Sequence, residues 1–267
     1  MPSSITPTKM TENILFPTGH TENIIELKNI SFGYTDDLVL EDINLVIHKG
    51  DYLGVIGPNG GGKTTLLKIM LGLLDPARGS VRLYGEDIGK FQGWSKFAYI
   101  SQKSANFEQF PVTVEEVVMM GRYGKRGLLG FLTQEDKDIA RESLRKVGML
   151  DFGKRLIHHL SGGQQQRVFI ARSLAAEPEV IFLDEPASGV DLETQEQFYA
   201  LLEKLNKEMK LTLILVSHDI DVIAHEATEV ACINKRLVYH GTPEQFIKDE
   251  YLKNLYGKGV KFILHNH

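Results

Sequence analysis

The chain alternates between short, almost unbroken apolar runs and longer stretches with helical spacing. Tyr52–Ile56, Phe97–Ile100, Val180–Leu183 and Leu211–Val216 are apolar at nearly every position. That is the pattern of strands covered on both faces of a parallel sheet. Ile24-Ile25-Glu26-Leu27 opens a further strand where the ordered chain begins. Helical spacing separates these runs. Lys63–Leu74 is apolar at Leu66, Leu67, Met70, Leu71 and Leu74, and Ala140, Leu144 and Val147 share one face ahead of Gly148, which stands where a C-terminal cap would. Strands alternating with helices predict an α/β fold with a mostly parallel sheet.

One stretch departs from this rhythm. Between Lys103 and Leu160 the spacing is helical and no convincing strand is present. Thr113-Val114-Glu115-Glu116 has the form of a capping box, and Thr133-Gln134-Glu135-Asp136 resembles another helix start. An all-helical lobe, about residues 103–165, is therefore expected as an insertion into the α/β core. Residues 1–22, rich in Ser, Thr and Pro, are expected to form a disordered tail, 23–257 one globular unit, and 258–267 a flexible tail.

Composition narrows the classes without naming one. With 42 % hydrophobic and 24 % charged residues the chain is ordinary for a globular protein. The single cysteine, Cys232, excludes an internal disulfide framework and a cysteine-rich zinc module. No apolar run approaches the ~20 residues that span a bilayer, and the first residues lack the basic start and apolar stretch of a signal peptide. A net charge of −5 argues against bulk nucleic-acid binding. The expectation is a soluble, intracellular protein that does not bind nucleic acid.

The chemistry lies in the motifs. Gly57-Pro58-Asn59-Gly60-Gly61-Gly62-Lys63-Thr64 follows an apolar strand and precedes an amphipathic helix. This is the G-x-x-x-x-G-K-[ST] phosphate loop in the context its mechanism requires. Its glycines let backbone N–H groups turn inward around phosphate oxygens, and the helix N-terminus adds partial positive charge. Lys63 can reach the β- and γ-phosphates, and Thr64 can offer its hydroxyl to Mg²⁺; Thr65 completes the set of ATP-binding candidates. Val180–Leu183 ends on Asp184-Glu185. Carboxylates at the C-terminal end of a parallel strand face the ligand crevice. Asp184 is read as a Mg²⁺ holder, through water, and Glu185 as the base that polarises the attacking water. His218 and Gln102 each follow an apolar strand and should project toward the same crevice. His218 is a candidate bridge between the γ-phosphate and Glu185, Gln102 a candidate contact to Mg²⁺ or the water.

Leu160-Ser161-Gly162-Gly163-Gln164-Gln165-Gln166-Arg167 opens a helix apolar at Val168, Ile170, Ala171, Leu174 and Ala175. Ser161 is a good N-cap, and the exposed amides at this start form a second anion site. With this octapeptide the sequence resembles the ATP-binding subunit of ABC transporters, whose signature motif it matches. The resemblance runs from about Ile24 to Gly241, with Tyr34, the phosphate loop, Gln102, the signature, Asp184-Glu185, the Ala187–Asp191 loop and His218 in family order. The loop Ala187-Ser188-Gly189-Val190-Asp191 departs from the family's usual Ser-Ala-Leu-Asp but keeps Asp191. The resemblance implies a phosphate-loop NTPase core with an N-terminal antiparallel β part. It implies ATP and Mg²⁺ as ligands, Tyr34 stacking on adenine, and two cassettes packed head to tail. Ser161, Gly162 and Gly163 of one would then face the γ-phosphate held by the other, with Asp191 in the inter-subunit loop.

Three segments also resemble the branch that imports zinc, manganese or iron: Gly60-Gly61-Gly62, the stretch from Phe110 to Val118, and Met120-Gly121-Arg122-Tyr123. The siderophore-importing branch shares parts of the last two. This resemblance implies a separate membrane permease as partner, an extracytoplasmic metal-binding protein as an indirect one, and a place at the cytoplasmic face of the membrane. A siderophore importer's ATPase, a soluble cofactor-assembly ATPase and an exporter cassette are the competing readings. Phe107, Phe110, Val117, Met120, Leu128, Leu129 and Phe131 offer a partner groove an apolar patch, with Val117 and Met120 at least equally suited to the lobe's core. His265 and His267 could ligate zinc, and His158-His159 reads as structural or exposed.

Overall fold

The computed structural model describes residues 22–101, 111–126 and 131–248. The strands are β1 (Asn23–Phe32), β2 (Leu40–His48), β3 (Tyr52–Ile56), β4 (Arg78–Leu83), β5 (Glu86–Asp87), β6 (Phe97–Ile100), β7 (Val180–Asp184), β8 (Thr212–Val216), β9 (Glu229–Asn234) and β10 (Arg236–Gly241). The helices are α1 (Lys63–Met70), α2 (Val114–Met119), α3 (Tyr123–Arg126), α4 (Gln134–Lys146), α5 (Gly162–Ala175), α6 (Leu192–Met209), α7 (Ile220–Glu226) and α8 (Pro243–Lys248).

Two sheets carry the fold. The larger has the order β10-β9-β3-β8-β7-β6, and all of its pairs are parallel except the β10 edge. Every residue of β3, β7 and β8 is buried, which is why these strands read as continuous apolar runs rather than as an alternation. The period of two survives in which side each residue serves. Val180, Phe182, Ile214 and Val216 join the core shared with α1 and the second sheet, whereas Ile181, Leu183, Leu213 and Leu215 join the core shared with α5 and the helical lobe. The second sheet, β2-β1-β4-β5, is antiparallel and N-terminal, as the resemblance implies.

Helix α1 stops earlier than its apolar spacing predicts, at Met70 rather than Leu74. Gly72 adopts a left-handed φ of 64°, its N–H donates to the Ile69 carbonyl, and the Leu73 N–H donates to the Lys68 carbonyl. This pair of bonds is a Schellman stop, which amphipathic spacing does not register. A Cβ on Gly72 would also lie 2.8 Å from the Trp94 ring.

The lobe is helical as predicted. Among its described residues the strand-like pairing is one isolated bridge, Thr113 to Leu156. Both expected capping boxes form, Thr113 with Glu116 at α2 and Thr133 with Asp136 at α4. Val114, Val117, Val118, Ala140 and Leu144 pack with Val168 and Ala171 of α5, so Val117 belongs to the lobe's core and to no docking surface. The limit set near residue 165 falls inside α5, which packs against lobe and core alike. Arg122 ties the two together: its Nε donates to Asp136 at 2.8 Å and its Nη1 to the Ala175 carbonyl and Glu177, each at 2.7 Å. The turn before it passes so close to α5 that a Cβ on Gly121 would meet the Arg172 carbonyl oxygen at 2.1 Å.

Candidate functional site

The phosphate loop links the C-terminal end of β3 to α1. Gly57, Gly60 and Gly62 have φ of 147°, 76° and 99°, a backbone path that side-chain-bearing residues rarely take. A Cβ on Gly57 would fall 1.9 Å from the Ile233 carbonyl oxygen, and the Lys235 N–H donates to the Gly61 carbonyl at 3.0 Å. The β9–β10 turn thus braces the loop from behind. Lys63 is enclosed by its own loop, donating to the carbonyls of Gly57 at 2.9 Å and Pro58 at 3.1 Å. Burial lowers its amine from the ordinary lysine value, while the carboxylates of Glu185 and Asp184 favour the charged form.

The acidic pair meets this cradle directly. The Thr64 hydroxyl donates to Asp184 Oδ1 at 3.0 Å, across 120 residues of sequence. Tyr99, on the neighbouring strand β6, donates to Asp184 Oδ2 at 3.4 Å. Burial raises the Asp184 carboxyl from its ordinary value; the bond from Thr64 opposes that and the charge of Glu185 adds to it. Asp184 also pushes the Tyr99 phenol up, after burial, to about 12. A hydroxyl and a carboxylate side by side form a hard oxygen donor set, the chemistry that Mg²⁺ takes. Glu185 follows at a left-handed φ of 47°, its N–H donating to the Val216 carbonyl at 3.0 Å. A non-glycine residue there is held by its surroundings against a local preference, which is common at catalytic positions.

Glu185 shares a small cleft with His218, Ser188, Gln195, Tyr199 and Ser217. His218 is exposed on the loop after β8, and the next residue, Asp219, accepts from Gln195 Nε2 at 3.1 Å. The structure therefore brings Lys63, Thr64, Asp184, Glu185 and His218 to the C-terminal ends of adjacent parallel strands, where ligands bind in open α/β sheets. Tyr34 stands at the rim, 61 % exposed, with one edge against Phe32 and its hydroxyl 3.4 Å from that of Thr65. Its ring is open to a planar partner.

The signature segment stands in a different neighbourhood. Ser161 caps α5, its hydroxyl accepting from the Gln164 N–H in a capping box, and Ser161 and Gly162 are exposed. Gly163 is buried so closely that a Cβ would meet Thr194 Cγ2 at 2.1 Å. Asp191 caps α6 and accepts from the Thr194 N–H at 2.9 Å and hydroxyl at 2.8 Å. The signature segment and the Ala187–Asp191 loop thus adjoin each other, through Thr194. Gln102, Phe107, Phe110, Leu128, Leu129, His265 and His267 lie outside the described residues. Phe131 is 92 % exposed and Met120 38 %. His158 and His159 are exposed. Tyr99 is a site residue that sequence reading missed, since it sits in an apolar run; its place near the C-terminal end of a parallel strand was the available signal.

Comparison with known proteins places the chain in a family. The ABC transporter family matches residues 40–188. The zinc uptake system ATP-binding protein ZurA of Listeria innocua is 45 % identical over 224 residues, covering 84 % of this chain and 87 % of that protein. The manganese transport system ATP-binding protein MntB of Bacillus subtilis is 38 % identical, covering 90 % and 94 %. The zinc transport system ATP-binding protein TroB of Treponema pallidum is 39 % identical, covering 91 % of each. Among solved structures, cbiO1 of Clostridium perfringens, part of the ABC transporter complex cbiONQ, superposes with a TM-score of 0.77 at 26 % identity over 88 % of this chain and 94 % of that one. An ATP-binding cassette of an ABC transporter in its ADP conformation shares the fold, with a TM-score of 0.80 at 22 % identity over 90 % of this chain and 100 % of that one. By sequence, fold and the junction of phosphate loop and acidic strand, this chain belongs to the ABC transporter family as an ATP-binding, ATP-hydrolysing cassette.

Proposed function

We propose that this chain is the ATPase subunit of an importer for a divalent transition metal ion, zinc or manganese, acting through a separate membrane permease. The ATPase part rests on the Thr64–Asp184 bond, which joins phosphate loop and acidic strand into one oxygen-rich site beside Glu185. The cargo rests on the relatives: the zinc and manganese systems match this chain at 38–45 % identity over most of their length.

Lys63 and the loop amides bind the β- and γ-phosphates, and Tyr34 stacks its open face on adenine. Thr64 and Asp184, with Gln102, would hold Mg²⁺, which when bound neutralises charge on the phosphates. Glu185 accepts a hydrogen bond from the attacking water and orients it in line with the γ-phosphorus. His218 donates to the γ-phosphate and holds Glu185 in position. The exposed Ser161 and Gly162, with Gly163, engage the γ-phosphate of a second copy, and Asp191 holds the loop between the two. ATP favours the closed pair because its phosphates contact both halves; hydrolysis removes that differential contact. Among the described residues no helix is long and apolar enough to cross a membrane, so the pair works as a peripheral motor on a permease at the cytoplasmic face. Exposed Phe131 and Tyr123 are part of the docking face, and an extracytoplasmic metal-binding protein delivers the ion from the far side.

The test is purification of the tagged chain from its own membranes, followed by uptake of radioactive zinc and manganese in cells with and without it. A multi-span membrane protein in the pull-down and loss of one ion's uptake are expected. Repeated absence of any membrane partner, with uptake unchanged, would favour the soluble assembly ATPase instead.

A further inference from the structure

A second constellation of ligating side chains lies at the opposite end of β3 from the phosphate loop, about 20 Å away along the strand. His48 ends β2, Asp51 immediately precedes β3, and Glu229 opens β9. One ligand atom from each lies within 4.8 Å of the other two, and all three residues are buried. A further neighbour is His240 on β10, whose Nε2 is 3.0 Å from Glu229 Oε2. The four side chains come from both sheets and the turn that joins them.

The geometry points to a zinc-type divalent cation site formed by His48, Asp51 and Glu229, with His240 as the outer partner that orients Glu229. Three physical features support it. Imidazole nitrogen with carboxylate oxygens is a donor set zinc takes readily. Tetrahedral zinc places donors about 3.3 Å apart, so separations of up to 4.8 Å would contract by at most about 1.5 Å, with the fourth position left to water. A divalent cation would offset the charge of two buried carboxylates. The frame is also fixed in advance. The Gly50 N–H donates to the Thr212 hydroxyl at 2.8 Å, the Asn206 amide to the Gly50 carbonyl at 2.9 Å, and the Tyr52 N–H to the Thr228 hydroxyl at 2.9 Å. The turn carrying Asp51 is therefore pinned to the core, as a preorganised ligand shell requires. The His48–Asp51 contact at 3.2 Å and the His240–Glu229 contact hold both carboxylates in place. A bound ion would staple the antiparallel sheet to the edge of the main sheet, away from the nucleotide and independent of whatever ion the transporter carries.

The experiment uses the full chain, stripped with chelator and free of nucleotide, with His265→Gln and His267→Gln to remove the tail imidazoles. Equilibrium dialysis against buffered free zinc measures stoichiometry, and cobalt substitution reports geometry through its visible spectrum. We expect one zinc per chain, tetrahedral cobalt bands, a melting temperature raised by zinc, and at least a tenfold loss of affinity in Glu229→Gln and in His48→Gln. Lys63→Ala should bind zinc as before. If either ligand variant misfolds, the cobalt spectrum of the parent chain and the milder His240→Gln variant decide. Unchanged zinc affinity in the folded variants, no binding at micromolar free zinc, or octahedral cobalt would overturn the site. So would equal stability with and without metal, the result expected of the His–carboxylate hydrogen bonds alone.

Discussion

The two glycine-bearing helix starts of this molecule, at α1 and at α5, are built from the same device and left in opposite states. At α1 the loop closes on itself: Lys63 is buried and bonded to two carbonyls of its own loop, and Thr64 reaches Asp184. At α5 the start is exposed and its cap is local, Ser161 with Gln164. A helix N-terminus attracts anions in both cases. The first has its own cation and hydroxyl, Lys63 and Thr64, at the helix start, and Asp184 and Glu185 are brought to it from distant parts of the chain. On the proposed function, the first binds nucleotide within one chain, and the second completes a site brought to it from outside.

The largest test separates chemistry from binding in the first region. Glu185→Gln keeps size and hydrogen bonding but cannot polarise water. Turnover should fall by about 10²–10⁴-fold with nucleotide affinity unchanged, and an ATP-bound dimer should accumulate on gel filtration. Retained turnover would remove Glu185 from its role. Lys63→Ala comes next. It deletes charged contacts worth about 2–3 kcal/mol, so nucleotide binding should weaken by on the order of 10²-fold in calorimetry. Full affinity in that variant would mean the loop amides alone carry the phosphates.

Ser161→Ala sharpens the contrast itself. The cap it removes is worth about 1 kcal/mol, a loss visible as a small drop in melting temperature. Affinity of the single chain for ATP should not change, while ATP-driven dimerisation and turnover should weaken. An affinity loss as large as that of Lys63→Ala would place both regions around one nucleotide in one chain, and the contrast would collapse.

These regions are legible in sequence to different degrees, for physical reasons. The phosphate loop is written in residue identity, because glycine, lysine and threonine must each occupy one backbone position, and the apolar runs locate the strands that carry it. The Thr64–Asp184 contact follows from strand order. Tyr99 does not, because a tyrosine in an apolar run looks like core until a partner strand places a carboxylate beside its hydroxyl. Apolar spacing makes α1 too long, since it does not register a left-handed stop at Gly72. Val117 and Phe131 are both apolar, yet one is fully buried and the other almost fully exposed. Which apolar side chain is covered depends on the helix that packs over it. The cluster of His48, Asp51 and Glu229 is only partly local: the β2–β3 turn brings His48 to Asp51, and the pairing of β9 with β3 brings Glu229 from far along the chain.

The smallest test concerns the acids of the two regions, which differ in sign. Asp184 is raised by burial, whereas Asp191 is lowered, first by the Thr194 N–H bond and then by its hydroxyl. A carboxyl lowered in the folded state adds stability that is complete above its unfolded value, about pH 3.9. That stability is lost as pH falls through the lower native value. Asp191→Asn retains an equally good N-cap but cannot titrate. Urea unfolding of the nucleotide-free chains should therefore show a constant advantage of the parent over Asp191→Asn above about pH 5, shrinking as the pH approaches about 3. A raised carboxyl such as Asp184 behaves oppositely, since low pH favours its folded, protonated form. An advantage of the parent that grew on acidification would mean that the α6 cap is governed by burial, as the phosphate side is, and that this exposed edge is not the open surface the contrast requires.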